Sequence, residues 1–185
     1  HSCLRESALA SRITMPILEP SAIAPDFRLP DAQGDIHSLS DLRGDGIVWL
    51  IFFKISCPTC QSSLHFIDRL ARNVNSTALA VWTISQDPPD HTEMFNKEFE
   101  IHVPQLFDSE DNNFPVSDAY GIETVPTTFL IEQSGRIQQV SVGWDRSEFE
   151  TMAATLASAI GLPPLTLFAP EEHIDEFRPG CASKN

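Results

Sequence analysis

Apolar and polar positions fall into blocks with two different periods along the 185 residues. The longest apolar block, residues 46–53 (Gly-Ile-Val-Trp-Leu-Ile-Phe-Phe), has strand length and no polar break. Unbroken apolarity is what a strand needs when both faces of a parallel sheet are covered. From Cys57 to about Asn73 the pattern turns helical, with Cys60, Leu64, Ile67 and Ala71 recurring at four- and three-residue steps on one face. Residues 77–84 form a second apolar, β-branched run, read as another buried strand. Pro88-Pro89-Asp90 opens a helix, with Glu93 completing a capping box on Asp90 and Phe95 and Phe99 one turn apart.

Residues 105–107 read as a short strand and 116–120 as a single helical turn. Residues 127–132 and 136–142 are strands joined over Gln133-Ser134-Gly135, a hairpin signal. Ser147 with Glu150 makes a second capping box. It starts a helix with the stripe Phe149, Met152, Ala153, Leu156 and Ile160, which Gly161-Leu162-Pro163-Pro164 ends. Near the start, residues 24–29 and 34–39 are two extended pieces around a turn at Gly34. Strand, helix, strand, helix, then hairpin and helix predict an α/β fold: a central sheet covered by helices on both faces. One domain over residues 23–161 is expected, with an irregular arm (1–22) before it and a polar tail (162–185) after it. Within the tail, Leu165-Thr166-Leu167-Phe168 is apolar enough to dock on the domain.

Charge narrows the partners. Twelve Lys and Arg against twenty-six Asp and Glu give a net charge of −14. Such a surface repels phosphate backbones and anionic lipid, so no nucleic acid or membrane-surface partner is expected. Eight of the acids and a single base, Lys97, fall between Asp87 and Asp111, a stretch read as a solvated face. No segment has the apolar length of a membrane span. Residues 1–16 lack the basic, apolar, small order of a signal peptide, and the compartment stays open. Asn75-Ser76-Thr77 fits a glycosylation sequon, a match common by chance.

The candidate chemistry lies in the four cysteines, Cys3, Cys57, Cys60 and Cys181. Four are too few to staple a chain this long, which can build its own core. Cys57 follows a buried strand and stands at a helix N-terminus, where unpaired N–H groups and the helix dipole favour a thiolate. Pro58 suits the first turn, and Cys60 lies one turn on, so the two sulfurs can meet. A thiolate at Cys57 can attack a substrate disulfide, after which Cys60 attacks Cys57 and releases the reduced product. Run backwards, the pair oxidises a dithiol. A zinc half-site is the alternative for this spacing, but no second Cys or His pair completes it, and His65 points away from Cys60. A purely structural disulfide would close too small a loop to constrain the unfolded chain much. Lys54 would favour the Cys57 thiolate unless strand alternation turns it away. Cys181 is either a free tail thiol or an accessory redox cysteine, paired with Cys3 or exchanging with Cys57.

The order of these parts resembles the thioredoxin superfamily, and within it the redoxin branch of TlpA-like thiol–disulfide oxidoreductases (the AhpC/TSA–redoxin group). The resemblance rests on Ala24-Pro25-Asp26-Phe27, on Phe52-Phe53 before Cys57-Pro58-Thr59-Cys60, and on the run from Tyr120 through Thr124-Val125-Pro126-Thr127 to Ile131. Ser134-Gly135-Arg136-Ile137 and Gly143-Trp144 follow in order, so it spans residues 23–160. It implies a thioredoxin fold with a mixed central sheet, an N-terminal redoxin extension and a cis Val125–Pro126 bond facing the cysteines. Pro58, Thr59, Thr124, Val125 and Pro126 would then border the substrate, with Gly143 and Trp144 at its edge. No cofactor is implied beyond a redox-active Cys57–Cys60 disulfide. The partners are a protein thiol or disulfide substrate and a second protein that resets the pair. The chain departs from the pattern at Ser56, where many relatives carry Trp. It departs again at Ile51 and Ser63, where relatives place a polar group or an acid to accept the Cys60 proton. A thiol-dependent peroxidase, with Cys57 peroxidatic and Cys60 resolving, is the main rival; its usual Pro and Thr landmarks fall on Leu50 and Lys54. A non-enzymatic metal-delivery or binding module on the same scaffold, with His102 as its remote histidine, is the other.

Overall fold

The computed structural model describes residues 15–185 except 45 and 75. Cys3, most of the arm and the sequon asparagine lie outside the described residues. In chain order the elements are β1 (Arg28–Pro30), β2 (Ile36–Ser38), α1 (Leu39–Arg43), β3 (Ile47–Phe53), α2 (Pro58–Asn73), β4 (Leu79–Ser85), α3 (Pro89–Phe99) and β5 (Gln105–Phe107). A 3-10 turn, Glu110–Asn112, leads to α4 (Pro115–Ala119), β6 (Thr124–Val125), β7 (Thr127–Ile131), β8 (Ile137–Val142), β9 (Trp144–Asp145) and α5 (Arg146–Ala159). Two short strands, β10 (Phe177–Arg178) and β11 (Cys181–Ala182), lie in the tail.

Five strands form the central sheet in the order β5-β4-β3-β7-β8. β3, β4 and β5 run parallel, while β7 pairs antiparallel with both β3 and β8, so the sheet is mixed. β3 is its middle strand, and Val48 to Phe53 have no solvent exposure, which accounts for the unbroken apolar run. Phe52 stands opposite Thr127 across the β3–β7 ladder. That register brings the loop after β3, which carries Cys57, beside the loop before β7, which carries Pro126. Phe52, Tyr120 and Phe129 stack beneath, with ring centroids 5.3 to 5.9 Å apart.

Three local expectations are corrected. The start of α3 is Pro88 with no side-chain cap, because Pro88 and Pro89 already restrict the backbone and Pro89 has no N–H to satisfy. The cap of α5 is Asp145, two residues before the expected Ser147. Asp145 accepts from the Glu148 N–H at 3.0 Å, while the Glu148 carboxylate accepts from the Ser141 hydroxyl. The acidic stretch is not wholly solvated either. Asp87 and Asp108 are buried, Asp108 accepting the Val116 and Ser117 N–H groups at 3.3 and 2.6 Å.

The tail is fastened along its length. Phe168 packs on Phe66, Trp144 and Phe149 with centroids 5.1 to 6.3 Å away. Arg69 grips the Glu172 carboxylate through two hydrogen bonds of 2.7 and 2.9 Å, holding that acid down to about 2. β10 then pairs with β9, and β11 with β6. No helix among the described residues is long and apolar enough to cross a membrane.

Candidate active site

Cys57 is the N-cap of α2, with extended backbone and Pro58 at the first helical position. Its sulfur accepts the Cys60 N–H at 3.2 Å, so it takes the place that a Ser or Asp oxygen fills at other helix starts. On the other side it approaches the Val125 carbonyl at 3.5 Å. Val125–Pro126 is cis, as the redoxin resemblance implies. The helix start and the loop before β7 therefore meet at one sulfur.

The two thiols of the pair differ. Cys57 is lowered to about 5, first because the Cys60 thiol donates to it, then through the Cys181 thiol and the Cys60 and Thr59 backbone; burial opposes this. Cys60 is held well above the ordinary thiol value by burial, by its hydrogen bond to Cys57 and by the Cys57 charge. Neither sulfur is exposed. An ionised sulfur at the helix mouth beside a protonated one behind it has the chemistry that disulfide exchange requires.

The other predicted residues separate into those that join this cluster and those that do not. Thr59 is buried and its hydroxyl donates to the Pro179 carbonyl at 2.7 Å, so it faces the tail. Thr124 and Val125 form β6 and carry β11 on their edge. Pro58 is exposed at the rim. The Lys54 ammonium donates to the Ala182 carbonyl. Ser56 is exposed and forms no side-chain hydrogen bond among the described residues. Ile51 is fully buried, and the Ser63 hydroxyl is committed to the Thr59 carbonyl at 2.7 Å. Trp144 is buried and donates from Nε1 to the Asp175 carbonyl at 2.7 Å, so it holds the tail rather than open space.

Asp87, just past the end of β4, escaped the sequence reading because it sat in an acid-rich stretch. Its Oδ2 accepts the Ile55 N–H at 2.8 Å in the loop before Cys57, and its Oδ1 takes the Lys184 ammonium. Its one sequence signal is position: an acid directly after an apolar parallel strand, where sites of α/β sheets gather.

The model of the AhpC/TSA family matches residues 20–140. The chain belongs to the AhpC/TSA family. It is 31% identical over 121 residues to the thiol-disulfide oxidoreductase ResA of Geobacillus thermodenitrificans, covering 65% of this chain and 67% of that protein. The ResA of Geobacillus kaustophilus is 32% identical with the same coverage. In fold, the chain is similar to a candidate thiol:disulfide interchange protein DsbE from Chlorobium tepidum, with TM-score 0.67 and 24% identity over 78% of this chain and 99% of the other. Within the AhpC/TSA family, this member is a thiol–disulfide oxidoreductase with a thioredoxin fold. That activity implies protein partners that give or take a disulfide.

Proposed function

We propose that Cys57 and Cys60 are the redox pair, cycling between dithiol and disulfide, with Cys57 the nucleophile toward a protein disulfide. The observation that carries this reading is the placement of the Cys57 sulfur, which caps α2 and accepts the Cys60 N–H at 3.2 Å. With its thiol lowered to about 5, Cys57 is ionised at neutral pH.

In the first step the Cys57 thiolate attacks one sulfur of the substrate disulfide. A Cys57–substrate bond forms and the other substrate sulfur leaves as thiolate. This step also prepares the second. Two of the influences that keep Cys60 protonated, its hydrogen bond to Cys57 and the Cys57 charge, disappear when that sulfur becomes part of a disulfide. Cys60 can then lose its proton to the departing thiolate without a dedicated carboxylate, consistent with Ile51 and Ser63 at the positions where relatives carry one. Cys60 attacks Cys57, the Cys57–Cys60 disulfide closes, and the reduced substrate leaves. A reducing partner restores the dithiol; with an oxidising partner the same steps run in reverse. Val125 and Thr124 offer the backbone edge on which an extended substrate segment would lie, next to the sulfur.

The test is to mix the reduced protein with a disulfide-containing protein such as insulin. With Cys181 also replaced by Ser, Cys60→Ser is expected to accumulate a covalent adduct through Cys57, and Cys57→Ser to form none. An adduct through Cys60, or full activity in Cys57→Ser, would reverse the assignment.

A further inference from the structure

Cys57 has no solvent exposure although the reaction needs it to meet a second protein. What covers it is the chain's own tail. β11 pairs antiparallel with β6, with Cys181 opposite Val125 and Ala182 opposite Thr124. The carbonyl of that same Val125 touches the Cys57 sulfur at 3.5 Å, so the register sets Cys181 beside the nucleophile. Cys181 is reduced and half-buried against the core. Around it the strand is held at each step: Pro179 by the Thr59 hydroxyl at 2.7 Å, Ala182 by Lys54, and Ser183 through its N–H to the Glu123 carbonyl at 3.0 Å. Gly180 fits because it has no side chain; a Cβ there would lie 2.4 Å from Thr124 Cγ2 and 2.6 Å from the Val125 carbonyl oxygen. A cysteine in an extended segment, stapled by its backbone to the edge beside the reactive sulfur, is how a substrate strand binds by β-augmentation.

Resting on the redox-pair reading above, we propose that the strand around Cys181 is an internal substrate: Cys181 exchanges with the Cys57–Cys60 disulfide, and the strand occupies the edge that external substrates must take. The exchange is redox-neutral. The Cys181 thiolate attacks the Cys57 sulfur; the Cys57–Cys181 bond forms as Cys57–Cys60 breaks, and Cys60 leaves as thiolate and takes up the proton that Cys181 gave up. The oxidising equivalent is the one already taken from the substrate disulfide. Cys60 attacks Cys57 to reverse the step and free Cys181. The contact between the thiols is also felt electrically, since Cys181 donates toward Cys57 and is itself pushed up, by burial first and then by that bond.

The probe is oxidised glutathione added to the reduced full chain, followed by alkylation and mass mapping of each cysteine. Cys60→Ser is expected to end with a Cys57–Cys181 disulfide and both halves of the probe released as free glutathione. The Cys60→Ser, Cys181→Ser double variant should stop at a stable glutathione adduct on Cys57. Gly180→Ala, which unseats the strand by the clash above, is expected to speed adduct formation at Cys57 by about tenfold and to lower the Cys57–Cys181 yield. A lasting Cys57 adduct in Cys60→Ser with Cys181 free, as in the double variant, would overturn the exchange. Unchanged rates in Gly180→Ala would overturn the occupancy of the edge. No adduct on Cys57 in any variant would instead remove the redox-pair reading on which this inference stands.

Discussion

Replacing Cys60 with Ala removes the largest influence on the Cys57 thiolate, the hydrogen bond from the Cys60 thiol. A hydrogen bond to a charged group contributes about 1.5–3 kcal/mol. At 1.36 kcal/mol per pH unit, its loss moves the Cys57 midpoint upward from about 5 by roughly one to two units. It should not return to the ordinary thiol value. The Cys60 N–H at 3.2 Å, the Thr59 backbone and the Cys181 thiol all remain. Cys60→Ser keeps a donor at nearly the same place and should hold the midpoint near that of the unsubstituted protein. The assay is the rate of iodoacetamide alkylation at Cys57 against pH, read by mass spectrometry of the Cys57 peptide, with thiolate absorbance as a check. Only the midpoint matters, since the covering strand slows every rate alike. A midpoint in Cys60→Ala that stays at about 5 would refute the reasoning and assign the lowered value to the helix terminus and the tail.

Three further outcomes follow from the same structure. The reduced protein should grow more stable to urea as pH rises from about 5 toward 9, because the unfolded chain then carries a proton on Cys57 that the folded chain has lost. Beyond the ordinary thiol value Cys60 and Cys181, which the fold keeps protonated, turn the slope downward; the same rise in Cys57→Ser would contradict this. Asp68→Ala leaves the His102 and Val103 N–H groups, now accepted at 2.6 and 2.8 Å, without a partner and breaks a 2.9 Å contact with Arg72. It should cost about 2–4 kcal/mol in urea unfolding while leaving the alkylation profile of Cys57 in place. Phe168→Ala removes the ring that sits among Phe66, Trp144 and Phe149 and should cost about 1–3 kcal/mol by the same measurement.

The central elements were legible because their burial is uniform enough to leave a period. β3 is covered on both faces and shows as an unbroken apolar run; α2 is covered on one and shows as a stripe beginning at Cys60. Ends of elements were less legible, since caps compete locally: Asp145 and Ser147 both look like the start of α5, and the Ser141–Glu148 contact that goes with Asp145 comes from β8. The tail was barely legible. β10 and β11 are two residues each, too short to show alternation, and exist only because β9 and β6 lend them an edge. Leu165, Leu167 and Phe168 betrayed the docking segment by their apolarity alone. Nothing within a few residues of Cys181 signals that it lies over Cys57, because that contact spans more than a hundred residues of chain and is set by register. Asp87 was hidden for the opposite reason: its neighbours in sequence are acids that do face water.

The central claim is that Cys57 exchanges disulfides. It is tested most directly by the rate at which Cys57 of the reduced full chain loses its free thiol to a small disulfide, with hydrogen peroxide run in parallel. Fast loss to the disulfide and slow loss to peroxide are expected, and in Cys57→Ser neither reagent should consume a thiol rapidly. Fast, saturating loss to peroxide with a sluggish disulfide reaction would contradict the claim and make Cys57 a peroxidatic cysteine.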